Sequence, residues 1–187
     1  DTKIFLSGSA LQFLNKGNPI DEDTKLESNN FYSLMRNHSL EVARFYRQEF
    51  KMKIYYGYFF NHDSPLRKKN FFNQKIVNLA KKKDFKNKIN LGNLDAVKEF
   101  GYAKDLMDAL FIFVNQDKYN ELVMGTGKGH SLREWVKICF EMMDKNYKEF
   151  IIEEGLNLKK PLVSNPKKLY SLGWNPKYDI NNLAKIM

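Results

Sequence analysis

A tyrosine and an arginine lie one helical turn apart near the start of a helix that the sequence predicts over residues 31–50. Tyr32 and Arg36 share one face of this helix, because residues four positions apart are neighbours on a helical surface. A fixed cation beside a tyrosine stabilises the tyrosinate, the form that accepts a proton, so the pair is a candidate acid/base. Most such pairs on surface helices are structural, and the spacing alone favours that simpler interpretation.

Polar side chains follow directly after the most aromatic stretch of the chain. Residues 54–60 contain no charge and several aromatic rings, a pattern typical of a fully buried, parallel strand. Asn61, His62 and Asp63 come next, at the strand end where open α/β sheets place their ligand contacts. The alternative is an Asx-type turn closed by Pro65. The spacing alone favours neither interpretation.

Two further patterns do not satisfy the spacing that their chemistry requires. Residues 125–129 read Gly-Thr-Gly-Lys-Gly, but a phosphate-binding P-loop has four residues between its first glycine and a closing Gly-Lys-Ser/Thr. We therefore predict a plain turn there. The histidines are spread along the chain without metal-ligand spacing, and Cys139 lies among apolar residues of a predicted helix, so we predict no metal site.

The chain has a net charge of +9, and some of its lysines cluster at the end of a helix predicted over residues 70–82. The lysines concerned are Lys81, Lys82, Lys83, Lys86 and Lys88. No recognised nucleic-acid-binding motif accompanies the cluster. Lysines also suit the negative C-terminal end of a helix dipole. We therefore favour a solvated helix end and do not expect nucleic acid as a partner.

Composition places the 187-residue chain among globular proteins. Its 43% hydrophobic and 14% aromatic residues exclude a disordered or collagen-like chain. No apolar run approaches the roughly 18 residues of a membrane helix, so we expect no membrane partner. The single cysteine cannot form an internal disulfide, which favours a reducing compartment, the cytoplasm. The first residue is Asp1 rather than Met, from which we expect a fragment or a processed chain.

The predicted elements alternate in the order of a βαβ unit. A strand over 3–9, the helix over 31–50 and the strand over 54–60 follow one another, with a polar loop at 14–30. Further helices are predicted at 70–82, 103–115 and 131–144, and further strands at 89–92 and 122–124. Ser131 and Glu134 form a predicted capping box at the start of the last helix.

A series of ordered motifs makes the chain similar to one enzyme family. Residues 60–71, Phe-Asn-His-Asp-Ser-Pro-Leu-Arg-Lys-Lys-Asn-Phe, resemble the FNHESPRRGENF signature of the GDP-mannose 4,6-dehydratases, which are extended short-chain dehydrogenases. Further similar stretches are Leu-Gly-Asn-Leu-Asp-Ala at 91–96, Gly-Tyr-Ala-Lys-Asp at 101–105, residues 126–134, and Leu-Gly-Trp-Asn-Pro at 172–176. The matches keep their order and cover nearly the whole chain, which therefore resembles the C-terminal part of such an enzyme.

The resemblance implies a specific α/β fold. We expect the C-terminal part of a Rossmann-type parallel sheet and a small mixed α/β sugar-nucleotide-binding domain. Residues 1–60 would be the remaining part of the NADP-binding domain and 61–187 mainly the substrate-binding domain, with 89–115 returning to the Rossmann sheet. The family's glycine-rich GxxGxxG turn, which seats the cofactor pyrophosphate, precedes the matched region, so we expect this chain alone to bind NADP weakly.

The resemblance also implies a reaction and its catalytic groups. The family oxidises C4 of the mannose with NADP, eliminates water across C5 and C6, and returns the hydride to C6. Tyr32 falls on the catalytic tyrosine of the YxxxK motif, and Arg36 falls on the lysine. An arginine keeps the positive charge, but its planar fork need not reproduce the ribose contact of a lysine.

The family sequence Ser-Thr-Ser-Glu falls on Ser7-Gly8-Ser9-Ala10. Gly8 has no hydroxyl, and Ala10 lacks the carboxylate that removes the C5 proton. Losing a general base costs typically about 10²–10⁴-fold in rate, so we expect little or no dehydratase activity. The catalytic candidates that remain are Tyr32, Arg36 and Ser9.

Other family positions imply the binding residues. Tyr32, Arg36, His62 and Arg67 match positions that contact NADP, and Asn61, Lys75 and Lys98 match positions that contact the nucleotide sugar, which would be GDP-mannose. The family's Arg-Pro-x-Glu element near its C-terminus is shortened in this chain, and the resemblance places Lys160 and Pro161 at its position.

Three hypotheses about function follow from the resemblance. The first is a dehydratase-like protein with little or no dehydratase activity. The second is an NADP-dependent nucleotide-sugar epimerase or reductase that uses Tyr32. The third is a non-catalytic sugar-nucleotide binder, or a partner subunit of an active dehydratase. We expect a homo-oligomer or a pairing with a paralogue, formed through the apolar face of residues 34–50.

Overall fold

The computed structural model describes residues 2–82, 88–154 and 159–187. Its strands are β1 (Lys3–Ser9), β2 (Lys53–Phe59), β3 (His62–Asp63), β4 (Ile89–Leu91), β5 (Val97–Glu99), β6 (Gly101–Tyr102), β7 (Glu121–Met124), β8 (Gly129–Ser131) and β9 (Ile151–Glu153). Its helices are α1 (Phe31–Phe50), α2 (Phe72–Ala80), α3 (Ala103–Val114), α4 (Leu132–Glu141), α5 (Lys167–Tyr170) and α6 (Ile180–Ile186). Lys83 and Lys86 of the predicted basic cluster lie outside the described residues.

A three-stranded parallel sheet carries the first half of the chain. Its order is β1-β2-β7, with Lys3 opposite Lys53 and Tyr56 opposite Glu121. The central strand is buried along nearly its whole length after Lys53, as the uncharged aromatic run 54–60 predicts. The βαβ unit and the α/β fold class are therefore confirmed.

Helices cover both faces of this sheet. Successive side chains of β2 alternate between the faces, so Tyr56 packs in the core with Leu40 of α1 while Tyr55 packs in the core with Leu106 of α3. The chain leaves the sheet at the C-terminal end of each strand. The residues after β1 and β2 consequently meet at one edge, where α1 also begins.

Small sheets and three helices build the second half. β3 pairs with β6 and β4 with β9 in parallel, and β5 pairs with β8 antiparallel. Residues from α2, α4 and α6 share a separate core around Trp135. Within 89–115, α3 packs on the three-stranded sheet, whereas β4 pairs with β9 outside it. The division of the chain near residue 60 stays a prediction.

The start of α4 differs from the predicted capping box. Ser131 is the N-cap, and its Oγ accepts a hydrogen bond from the Glu134 N–H at 3.1 Å. The Glu134 carboxylate instead contacts Nδ1 of His130 at 2.9 Å, so the return bond to the Ser131 backbone is not made. Only one of the two hydrogen bonds of the predicted capping box is therefore formed.

No helix within the described ranges is long and apolar enough to cross a membrane.

Candidate functional site

Two adjoining clefts open at the edge where β1 and β2 end. The first has a volume of about 450 Å³ and lies between the end of β1, the start of α1 and the residues that follow β2. The second has a volume of about 540 Å³ and lies between α2, β5 and the segment 159–162. Ala10, Leu11, Asn61 and Leu162 line both clefts, so a ligand in one contacts the wall of the other.

Tyr32 and Arg36 both line the first cleft, as their shared helix face predicts. The Tyr32 side chain is 46% exposed, and the Arg36 guanidinium lies 5.3 Å from the centre of its ring. Nη1 of Arg36 donates hydrogen bonds to the Ser7 backbone oxygen at 2.7 Å and to Ser7 Oγ at 3.3 Å. Arg36 is therefore held against the end of β1, with its cation beside the exposed tyrosine.

Ser9 and Ala10 stand at the entrance to a single-turn 3₁₀ helix, Ala10–Gln12. Ser9 is its N-cap, and Ser9 Oγ accepts a hydrogen bond from the Leu11 N–H at 3.2 Å. Ala10 is 3% exposed and presents a methyl group at the junction of the two clefts. The structure brings both residues to the site, but neither supplies a carboxylate there.

A buried polar network, which sequence reasoning missed, fills the space beside Gly8. The Tyr56 hydroxyl donates to Gln12 Oε1 at 3.2 Å and contacts the Arg36 backbone oxygen at 2.9 Å. Gln12 also accepts from the Ser9 N–H at 2.8 Å. Tyr56 and Gln12 are fully buried. The network joins β1, β2 and α1 directly behind the first cleft, and only the absence of charge in β2 indicated that Tyr56 would be buried.

His62 and Arg67 form another wall of the first cleft. His62 Nδ1 lies 2.9 Å from the Phe60 backbone oxygen, which orients the ring. Arg67 donates to Asp63 Oδ1 and to the His62 backbone oxygen, each at 2.7 Å, and its guanidinium lies 4.9 Å from the centre of the Phe71 ring. Because Arg67 is held on three sides, its charge has a fixed place in the cleft that Arg36 also lines.

The second cleft is apolar with cations at its walls. The lysines that line it are Lys98, Lys159 and Lys160, and no aspartate or glutamate of the described chain lines it. Asn15 and Asn29 from the loop 14–30 and Asn61 add side-chain amides. The lysines and amides suit an anionic, hydroxyl-rich ligand. Sequence reasoning missed Asn15 and Asn29, for which the polar composition of the loop was the only signal.

Of the three lysines that line the second cleft, Lys98 is the one that is not exposed. Its ammonium donates to Asn73 Oδ1 at 3.1 Å and lies 5.5 and 5.0 Å from the ring centres of Phe72 and Phe100. Burial lowers the pKa of the Lys98 ammonium to about 8. The nearby charge of Asp63 raises this pKa and that of Arg67 lowers it. Near neutral pH its charge is retained in a poorly hydrated place, where an anion interacts with it strongly.

Lys75, the remaining substrate candidate, is not brought to the clefts. It lies on the exposed side of α2 and lines neither of them. Residues 2–82, 88–154 and 159–187 hold no group of three acidic, histidine or cysteine side chains arranged to bind a metal ion.

The family model for GDP-mannose 4,6 dehydratase matches residues 2–187. The chain belongs to the GDP-mannose 4,6-dehydratase family. It is 27% identical over 192 residues to GDP-mannose 4,6 dehydratase 2 of Arabidopsis thaliana, covering 99% of this chain and 52% of that one. It is 30% identical over 145 residues to the GDP-mannose 4,6 dehydratase of Homo sapiens, covering 74% of this chain and 37% of that one. The chain spans about half the length, or less, of these relatives.

Solved structures share the fold at low sequence identity. A dTDP-glucose 4,6-dehydratase from Bacillus anthracis in complex with NAD matches with a TM-score of 0.85 and 18% identity, over 98% of this chain and 59% of that one. RMD from Pseudomonas aeruginosa complexed with NADPH matches with a TM-score of 0.85 and 14% identity, over 97% of this chain and 64% of that one. These similarities confirm the Rossmann-like α/β fold that the GDP-mannose 4,6-dehydratase motifs imply.

Proposed function

We propose that the protein containing this chain binds NADP and a nucleotide sugar, GDP-mannose, and has little or no 4,6-dehydratase activity. The observation that carries the second half of the proposal is the buried methyl group of Ala10 at the junction of the two clefts. A carboxylate base would have to act there on a sugar held between the clefts. Without that base, about 10²–10⁴-fold in rate is lost.

The first cleft supports the cofactor part of the proposal. Arg36, Arg67 and His62 line it together, which suits the phosphates and carboxamide of a dinucleotide. When bound, NADP supplies a hydride acceptor. The exposed Tyr32 faces the same space and would take the proton from a sugar hydroxyl, with the Arg36 guanidinium beside its ring.

The second cleft supports the substrate part. Lys98 would pair with the diphosphate, and the amide of Asn61, which lines both clefts, would contact the sugar between them. Lys75 has no part in this proposal because it lies outside both clefts.

The proposal is tested on the full-length protein with calorimetric titration and a product assay. We expect binding of GDP-mannose and NADP, with no measurable GDP-4-keto-6-deoxymannose. Product formation at the rate of an active family member would contradict the loss of activity. Failure of GDP-mannose to bind would contradict the binding function.

A second candidate function is simple hydride transfer at C4, as in an epimerase or reductase. The observation that favours it is that Tyr32 and Arg36 lie together in the first cleft, with the guanidinium 5.3 Å from the ring centre, whereas Ala10 supplies no carboxylate for an elimination. It predicts reduction of NADP by a nucleotide sugar without loss of water. Tyr32→Phe should lower that rate at least 100-fold, and an unchanged rate would exclude the role of Tyr32.

A partner role is favoured by the outer face of α1. Phe31, Leu34, Met35, Phe45 and Phe50 of this helix are each at least half exposed. An apolar face of this size suits a second copy of the helix packed against it, in a homodimer or with a paralogue.

We place the protein in the cytoplasm on the basis of its single, unpaired cysteine.

A further inference from the structure

A buried glutamate behind the second cleft accepts four hydrogen bonds and lines neither cleft. Glu99 is fully buried at the end of β5. Its Oε1 accepts from the Ser164 N–H and from Ser164 Oγ, each at 2.6 Å. Its Oε2 accepts from the Thr126 N–H at 2.5 Å and from Thr126 Oγ1 at 3.0 Å. Four donors thus meet one carboxylate, which offsets the cost of burying its charge.

These bonds join three segments that are distant in sequence. Glu99 belongs to β5, Thr126 follows β7, and Ser164 lies in the C-terminal segment 162–164. Gly125 lets them approach, because a Cβ at this position would lie 2.4 Å from Ser164 Oγ and 2.7 Å from Glu99 Oε2. No lysine, arginine or histidine of the described residues forms an ion pair with Glu99. The three segments are therefore joined through hydrogen bonds from neutral donors to the Glu99 carboxylate.

The joined segments are walls of the second cleft. The backbones of Lys98 and Leu162 pair in an isolated parallel β-bridge. The Leu162 N–H donates to the Val97 backbone oxygen at 3.0 Å. Neighbouring residues of a strand point to opposite sides. Consistent with this, Glu99 is buried on one side of β5, while Lys98 lines the cleft on the other with Leu162.

We propose that Glu99 is a positioning residue that holds β5 against the segment 162–164 and thereby fixes the Lys98 ammonium in the second cleft. That Lys98 meets the ligand's diphosphate rests on the function proposed above. The positioning itself does not, because it concerns only contacts within the chain.

The test follows the protonation of Lys98 in the full-length protein, since its pKa of about 8 depends on its enclosure. Lysine side chains are isotopically labelled, and the Lys98 signal is identified by its absence in Lys98→Met. Besides Glu99 itself, the charged or titratable groups near this ammonium are Asp63, Arg67, His130, Lys159 and Lys160, and none of these is altered. Loss of the Glu99 charge alone would lower the Lys98 midpoint, so a rise reports the separation of the segments. The wild-type signal should titrate near pH 8.

In Glu99→Gln we expect the Lys98 midpoint to rise by at least one pH unit, because separation of the two segments lets water reach the ammonium. Ser164→Ala, which removes one donor and keeps the carboxylate, should move it in the same direction by less. Glu141→Gln is the control: it alters an exposed carboxylate at the end of α4 and should leave the midpoint unchanged.

An unmoved midpoint in folded Glu99→Gln and in Ser164→Ala would overturn the proposal, even if both variants melt at lower temperature, since Glu99 would then act on stability alone. If Glu99→Gln does not fold, Ser164→Ala decides by itself. A parallel titration of the wild type with GDP separates the two proposals. Absence of GDP binding would overturn the proposed function and leave the Lys98 readout intact.

Discussion

The ring of Tyr56 lies in the space that a side chain at position 8 would need. A Cβ built on Gly8 would come within 2.3 Å of Tyr56 Cε1 and 2.6 Å of Gln12 Oε1. The resemblance places Gly8 at the family's threonine, and the space that a threonine would need here is filled by the Tyr56 ring and the Gln12 amide. Introducing a threonine at position 8 alone therefore meets a steric obstacle.

Gly8→Thr should lower the free energy of unfolding by about 2 kcal/mol or more, because an extra side chain is forced into a filled core. Chemical denaturation measures the change. In the background of Tyr56→Leu, which removes Cε1, the same substitution should cost less. Gly92→Ala is the control, since no atom outside its chain neighbours lies within 4 Å of the added Cβ. Equal costs of Gly8→Thr in both backgrounds would contradict the steric explanation.

The affinity for GDP-mannose should fall as the pH rises through about 8, where Lys98 loses its proton. Below that pH the ammonium pairs with the diphosphate, and above it the attraction is lost. Titration calorimetry between pH 6.5 and 9.5 measures the step, and Lys98→Met should remove it. Lys75→Met should keep it, because Lys75 lies on the exposed side of α2. A step of the same size in Lys98→Met would assign it to another group.

Lys98 should also affect stability in a pH-dependent way. Its pKa falls from 10.5 to about 8 on folding, so between these values the unfolded chain binds more protons than the folded one. The contribution of this group to the free energy of unfolding therefore rises with pH across that window. Lys98→Met should be more stable relative to wild type at pH 7 than at pH 10. Denaturation at both values checks this, and a pH-independent difference would contradict it.

A carboxylate at the start of β7 should control stability in acid. Burial raises the pKa of the Glu121 carboxyl, but hydrogen bonds from Arg44, Tyr58 and Arg47 outweigh burial and hold it below its ordinary value of 4.5. Its contribution to stability is present above pH 4.5 and is lost as the pH falls through the lowered pKa. Glu121→Gln should flatten the loss of stability in acid.

At pH 7, Glu121→Gln should cost about 2–3 kcal/mol, below the usual cost of breaking a buried pair because Arg44 is partly exposed and keeps Glu41. Glu41→Gln is the matched control on α1. It breaks an exposed pair and should cost less than about 1 kcal/mol. Similar costs for the two variants would show that Glu121 is no better supported than a surface carboxylate.

The outer face of α1 should hold the protein in an oligomer. Phe45, Tyr46 and Phe50 form an exposed aromatic cluster, with ring centres 5.2–6.1 Å apart. Phe45→Glu should shift the protein to the monomer in sedimentation velocity, because a charge cannot be buried between two such faces. Phe111→Glu, at a phenylalanine on α3 that is more exposed than Phe45, is the control. A monomeric wild type would exclude this interface.

Local patterns were sufficient to predict the elements that place the site. The aromatic, uncharged run of β2, the polar residues after it and the helical spacing of Tyr32 and Arg36 are properties of neighbouring residues. Burial on both faces and a period of 3.6 residues leave such traces in the sequence. For this reason the βαβ unit and the position of Tyr32 and Arg36 in one cleft were predictable.

Contacts between distant residues decided the rest. Tyr56 meets Gly8 from another strand, Glu99 joins Thr126 and Ser164 from two other segments, and Lys75 turns away from the clefts while Lys98 enters one. Local sequence does not record such contacts, because the partners are brought together by packing and each residue type is compatible with many environments. A motif names the residue at a position, whereas its burial, its hydrogen bonds and the space around it exist only in the folded chain.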